Sequence, residues 1–177
     1  MLFYGILIGI GVVFLIIFTL LLVNGYKLKA LSIKIEEAEK NASEILKDKY
    51  NLLTSIDSIM KSKNKEDLFK DLESIDIEKL DNFELNKELS KFDKTVVELT
   101  DYNKEIVFDD NEEEVFENLI KTNIDRLAIE KYYNDNATKF NKLLDKIPSS
   151  IISKFRDYSK KDLFNNKKEE IFEILKK

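Results

Sequence analysis

LFYGILIGIGVVFLIIFTLLLV, residues 2–23, decides how the rest of the chain is read. It holds no charged side chain, and only Tyr4 and Thr19 are mildly polar. At ~1.5 Å rise per residue such a helix spans roughly 33 Å, enough for the ~30 Å hydrocarbon layer of a bilayer. A cleaved secretory signal needs a basic start, an apolar core of about 7–15 residues and a small-residue cleavage site. Here no Lys or Arg precedes the run, the run is longer, and it ends in Asn24-Gly25-Tyr26. An uncleaved single span is therefore expected, with the lipid bilayer as its partner through residues 2–23. Lys27, Lys29 and Lys34 follow the span, so the positive-inside rule places the amino terminus outside and the carboxy-terminal part in the cytoplasm. Gly5 and Gly9 form a G-x-x-x-G pair that permits close approach of two spans. Glycine is also common in membrane helices generally, and that plainer reading is preferred.

Outside this run the composition excludes much chemistry. The chain has no Cys, His or Trp, one Pro (Pro148), and no Gly after Gly25. Disulfides, thiol nucleophiles, imidazole bases and Cys/His zinc sites are thereby ruled out. The net charge is −5 and Arg occurs only at 126 and 156, a poor surface for nucleic-acid phosphates, which favour a clustered basic face. A charged fraction of 36% with almost no helix breakers points to long, surface-exposed helices.

From Tyr26 to Lys63 an apolar stripe at 3/4 spacing runs through Leu28, Leu31, Ile35, Ala38, Ala42, Ile45, Leu52, Ile56 and Ile59, interrupted only by Lys49. This heptad-like pattern predicts one helix continuing from the membrane, with Gly25 its single place to hinge. Ser62–Asn64 reads as a polar turn. A short amphipathic helix is expected over 65–75, with Leu68, Phe69, Leu72 and Ile75 on one face. A third, capped by Asp81, is expected to about Tyr102 on the stripe Leu85, Leu89, Phe92, Val96 and Leu99. The acidic run from Asp109 to Glu114 offers oxygen ligands for a divalent cation, but lacks the glycine and alternating spacing of a calcium loop. It reads better as a helix start, with Asn111 as N-cap and Glu114 three residues on.

The helix begun there is expected to reach about Lys146, with Tyr133, Ala137, Phe140, Leu144 and Ile147 on its packing face. Extending that face upward meets Glu130, Arg126 and Asn123 before Leu119 and Phe116. Two readings fit: the face slips towards Ile120, Ile124 and Leu127, which is preferred, or a polar layer is buried, with Arg126 and Glu130 paired four residues apart. Pro148 ends the helix. Ile151, Ile152, Phe155, Tyr158 and Phe164 then belong to a shorter segment folding back. A basic amphipathic tail, 166–177, packs on its own domain or touches an anionic membrane surface.

Two segments resemble the LemA family of bacterial membrane-anchored proteins. In EEAEKNASEILKDKYNLLTSI (36–56), Ala38, Ala42, Leu46, Lys49, Tyr50, Asn51, Leu52, Leu53 and Ile56 match the family's early-helix pattern, with Asp48 and Thr54 as departures. In YNDNATKFNKLLDKIPSSIIS (133–153), Tyr133, Asn134, Phe140, Asn141, Ile147, Pro148, Ser149 and Ile152 match its repeated aromatic-Asn pairs and following proline. Residues 62–115 carry little of the resemblance. It implies an all-α protein: a single amino-terminal transmembrane helix followed by an elongated antiparallel helical bundle. The expected divisions are 1–25 (anchor), 26–165 (LemA-like helical bundle) and 166–177 (tail). The seven-residue repeat places both aromatic-Asn pairs on one helical face. Tyr133, Asn134, Phe140, Asn141 and Pro148 are therefore singled out as register or partner-binding positions, core packing being the preferred role. No catalytic residue, cofactor or metal ligand is assigned.

The expected function is a non-enzymatic, single-pass interaction or scaffold protein of a bacterial cell membrane. Its cytoplasmic helices would recruit or organise unidentified protein partners or further copies of itself. A membrane-organising or membrane-shaping role stands second. A metal-dependent enzyme using Asp109, Asp110 and Glu113 is a distant third.

Overall fold

The computed structural model describes residues 2–65, 68–101 and 107–164, and every regular element among them is helical. Helix α1 (Leu2–Ser62) is followed by α2 (Asn82–Leu89), α3 (Asp93–Asp101), α4 (Asp110–Leu144) and α5 (Ser149–Arg156). The all-α class read from the sequence is what is found. The tail, 166–177, lies outside the described residues.

Helix α1 passes unbroken through Gly25, and none of the glycines takes a positive φ. One glycine costs a helix interior about 1 kcal/mol, too little to break a cooperative segment of this length. Its first part contains a stretch long and apolar enough to cross a membrane, and none of that stretch is buried. Where α1 stops, Asn64 adopts a left-handed conformation (φ 57°). Lys65 N–H then donates to Met60 O (2.9 Å) and Asn64 N–H to Lys61 O (3.1 Å), the paired bonds of a Schellman cap. Asp157 (φ 50°) closes α5 similarly, with Tyr158 N–H donating to Ser153 O at 3.2 Å. A chain with no glycine after residue 25 gives these positions to Asn and Asp, the residues that best tolerate them.

The chain divides into two compact units, with boundaries inside α1 and α4: Met1–Glu37 with Tyr132–Leu163, and Ala38–Lys131 with Phe164–Lys177. In the first unit Leu28 and Ile35 of α1 and Tyr133, Ala137, Phe140 and Leu144 of α4 are buried. The Phe140 ring meets Tyr158 edge-on at 5.5 Å.

The second unit holds a core built from α1 (Leu46, Leu53, Ile56, Met60), Phe69 and Leu72, α2–α3 (Leu85, Leu89, Phe92, Val96, Leu99) and α4 (Phe116, Leu119). Phe69 and Phe92 stack at 5.8 Å. Opposite ends of α1 and α4 meet here: Lys63 pairs with Glu112 at 2.8 Å, while Asn41 and Ile45 share a groove with Ala128 and Ile129.

Several expectations need correction. The buried line of α1 beyond Ala42 runs Leu46, Lys49, Leu53, Ile56 and Met60, whereas Ile45, Leu52 and Ile59 are only half-buried. Lys49 continues the stripe instead of interrupting it. No α-helix forms over the described part of 65–75, which holds turns and one 3-10 turn at Leu72–Ser74. Phe69 and Leu72 reach the core but Leu68 stays outside, and so short a helix is marginal without a fully packed face. The third helix is split into α2 and α3 by a 3-10 turn at Ser90–Phe92, yet its whole stripe is buried. Asp81 does cap it, accepting from Phe83 N–H (2.9 Å) and Glu84 N–H (2.8 Å).

The cap of α4 lies two residues earlier than expected. Asp109 Oδ1 accepts from Glu112 N–H and Glu112 Oε2 from Asp109 N–H, both at 2.9 Å, a reciprocal capping box. Helix α4 ends at Leu144, so Ile147 leaves the helical progression and is 83% exposed.

Candidate functional site: a buried charge layer

In the second unit, buried polar side chains from four helices converge. On α4 the buried line runs Phe116, Leu119, Asn123, Arg126, Glu130 at strict 3/4 spacing. The polar layer is therefore real and the preferred slip is wrong: Ile124 is 45% exposed and Ile120 half-buried, although Leu127 is buried. Lys49 comes from α1, Asp93 from the first turn of α3, and Asn86 from α2.

The side chains close on one another. Lys49 Nζ donates to Asp93 Oδ1 at 2.5 Å. Arg126 Nη1 donates to Glu130 Oε1 (2.7 Å) and to Asn86 Oδ1 (3.1 Å), and its Nε donates to Asn123 Oδ1 (3.4 Å). Arg126 Nη2 lies 4.0 Å from Asp93 Oδ2, which links the two ion pairs. Two cations face two carboxylates, so the layer is formally neutral. None of its fully buried side-chain nitrogens and oxygens is left without a hydrogen-bond partner.

Burial is nonetheless felt. Lys49 is 0% exposed, and desolvation of its ammonium pulls its pKa from 10.5 down to about 8. The Asp93 carboxylate opposes that shift, and Arg126 adds to it by like-charge repulsion. Lys49 thus remains mainly charged at neutral pH.

What the arrangement does follows from energetics. Removing one partner from a buried ion pair costs about 3–5 kcal/mol, whereas replacing the whole set with apolar side chains is close to neutral. The layer therefore acts on geometry, disfavouring any register of α1, α3 and α4 that strands a charge. Its charged side chains are engaged with one another.

Tyr133, Asn134, Phe140, Asn141 and Pro148, singled out from sequence, all lie in the first unit, and none belongs to the charge layer. Tyr133 and Phe140 are in its core and Asn134 is half-buried. The Asn141 amide binds one backbone residue twice: Nδ2 donates to Lys161 O at 2.8 Å and Oδ1 accepts from Lys161 N–H at 2.9 Å. That bond pair straps the segment after α5 onto α4. Pro148 follows a cis peptide bond and immediately precedes α5. Asp110 and Glu113 are exposed in the first turn of α4, and no group of three or more acidic side chains among the described residues is placed to hold a metal ion.

Sequence reasoning missed Lys49, Asp93 and Asn86 as members of one site. The available signal was charge of opposite sign at stripe positions of different helices: Lys49 three residues after Leu46, and Asp93 four after Leu89. Comparison with protein-family models, with curated proteins and with solved structures finds no match.

Proposed function

We propose that this chain is a single-pass interaction or scaffold protein of a bacterial cell membrane. Residues 2–23 cross the bilayer, the amino terminus lies outside, and the helical part in the cytoplasm recruits or organises partners without performing catalysis. One observation carries the reading: α1 is a single helix whose first part is apolar, span-length and unburied, and whose later part forms a wall of the packed core. No loop separates the apolar stretch from the packed part of the same helix. The resemblance of 36–56 and 133–153 to LemA proteins supports the same reading, including an elongated antiparallel bundle.

Crosslinking of the full chain in native membranes, followed by mass spectrometry, tests the proposal. It should recover a reproducible set of protein neighbours or homo-oligomers. That set should vanish when residues 27–177 are replaced by an unrelated helical domain on the same span. Recovery of the same neighbours from both chains would leave the helical part without the proposed role.

A further inference from the structure

Three large apolar side chains beside the end of α4 point away from the protein. Ile147 is 83%, Ile151 48% and Phe155 85% exposed. They recur every fourth residue, the spacing that lines one side of a helix, and the last two lie on α5 itself. Between Lys146 and Arg156 the chain carries three cations, Lys146, Lys154 and Arg156, all exposed, and no acid. The opposite side of α5 is turned inward, with Ser149 buried and Ile152 half-buried.

The element is held at both ends. Four residues connect it to α4, and beyond it the Asn141–Lys161 bonds and the Phe140–Tyr158 contact tie the chain back to α4. The apolar side is thus presented outward by a fixed support.

Its place in the first unit says what covers it. That unit contains the whole apolar stretch of α1 but only residues 24–37 of α1 beyond it, about 21 Å of helix at ~1.5 Å per residue. Helix α1 leaves the unit at Glu37 and α4 joins it at Tyr132. The Leu144 end of α4, with α5 after it, is therefore the end turned towards the span. An apolar side flanked by cations next to a membrane span has the make-up of an interfacial helix, whose apolar face sinks into the headgroup boundary while Lys and Arg reach the phosphates.

We propose that α5 docks, through Ile147, Ile151 and Phe155, on the anionic phospholipid surface of the membrane that α1 spans. The proposal rests on residues 2–23 being that span. Because the chain has no Trp, single tryptophans report position directly. The full-length variants Phe155→Trp, Phe14→Trp (in the span) and Val107→Trp (88% exposed, in the second unit) are reconstituted into phosphatidylcholine vesicles with and without phosphatidylglycerol. Lipids carrying a quencher just below the headgroup or deep in the chain are then added.

The expected result is that F155W emission is blue-shifted and lost to the shallow quencher, more strongly with phosphatidylglycerol. F14W should be lost to the deep quencher and V107W to neither. F14W quenched with F155W behaving like V107W overturns the docking of α5 and leaves the span standing. F14W unquenched overturns both. A blue shift of F155W without lipid quenching, growing with protein density, assigns the surface to a second copy and overturns the lipid proposal. Quenching of F155W that ignores phosphatidylglycerol overturns the preference for an anionic surface.

Discussion

Lys49 shows how one side chain ties the packing of this protein to pH. Its ammonium sits in the core beside Asp93, and burial lowers its pKa to about 8. In the unfolded chain it titrates near 10.5. Between those values the unfolded state binds more protons than the folded one, so stability contributed by this group rises with pH. Below about 8 both states hold the proton and the full cost of burying it is present. Across the window the gain is about 3 kcal/mol, since one pKa unit is about 1.4 kcal/mol. Urea unfolding of the full chain in detergent micelles should therefore show a higher midpoint at pH 10 than at pH 8. Lys49→Met removes the group that titrates, and its midpoint should not rise. A parallel fall in both proteins would show that Lys49 is not buried with its proton. Lys49 also marks where reading by residue type stops working: a lysine in an apolar stripe looks like a break until its carboxylate partner on another helix is known.

At the scale of elements, helix starts and stops follow from a few local bonds. The acidic run before α4 contains two overlapping capping pairs, Asp109/Glu112 and Asn111/Glu114, and composition does not choose between them. The structure uses the first, with both reciprocal bonds formed at 2.9 Å. Glu112 has a further reason to be N3: its carboxylate also meets Lys63 at 2.8 Å, beside the end of α1. Lys63 in turn donates to Val107 O (2.9 Å) and lies over the Phe108 ring at 5.3 Å. Asp109→Ala should cost about 1 kcal/mol of stability through the lost cap. Asn111→Ala, at an exposed position inside the helix, should stay within about 0.5 kcal/mol of the parent. Thermal or urea unfolding of the two variants side by side checks this. Equal effects, or a larger one at Asn111, would restore the later cap. The stripe of α2 and α3 was legible from sequence despite the intervening 3-10 turn, because three residues of tighter winding rotate the chain too little to turn its apolar side outward. The face of α4 was not, because Ile120, Ile124 and Leu127 offered a continuous apolar alternative one step round the helix.

For the whole molecule, the orientation proposed from Lys27, Lys29 and Lys34 has a direct check. Protease added outside intact cells producing the chain should leave everything after Val23 undigested, and digestion there would reverse the orientation. The all-α class and the apolar stretch of α1 were determined by the sequence alone. So were the stripe of α2 and α3 and the buried aromatic positions of α4. Each depends only on chain-local quantities: the angle between successive residues, the absence of breakers, and the length of an apolar run. Tertiary structure decided the rest. It placed Lys49, Asp93, Arg126 and Glu130 in one neutral layer, set the cap of α4 through Lys63, divided the chain inside its two longest helices, and turned Ile147 and Phe155 outward. Lys49 is buried as a charge because its counter-charge, Asp93, arrives from another helix. Periodicity reports the direction a side chain takes on its own helix, not what meets it there.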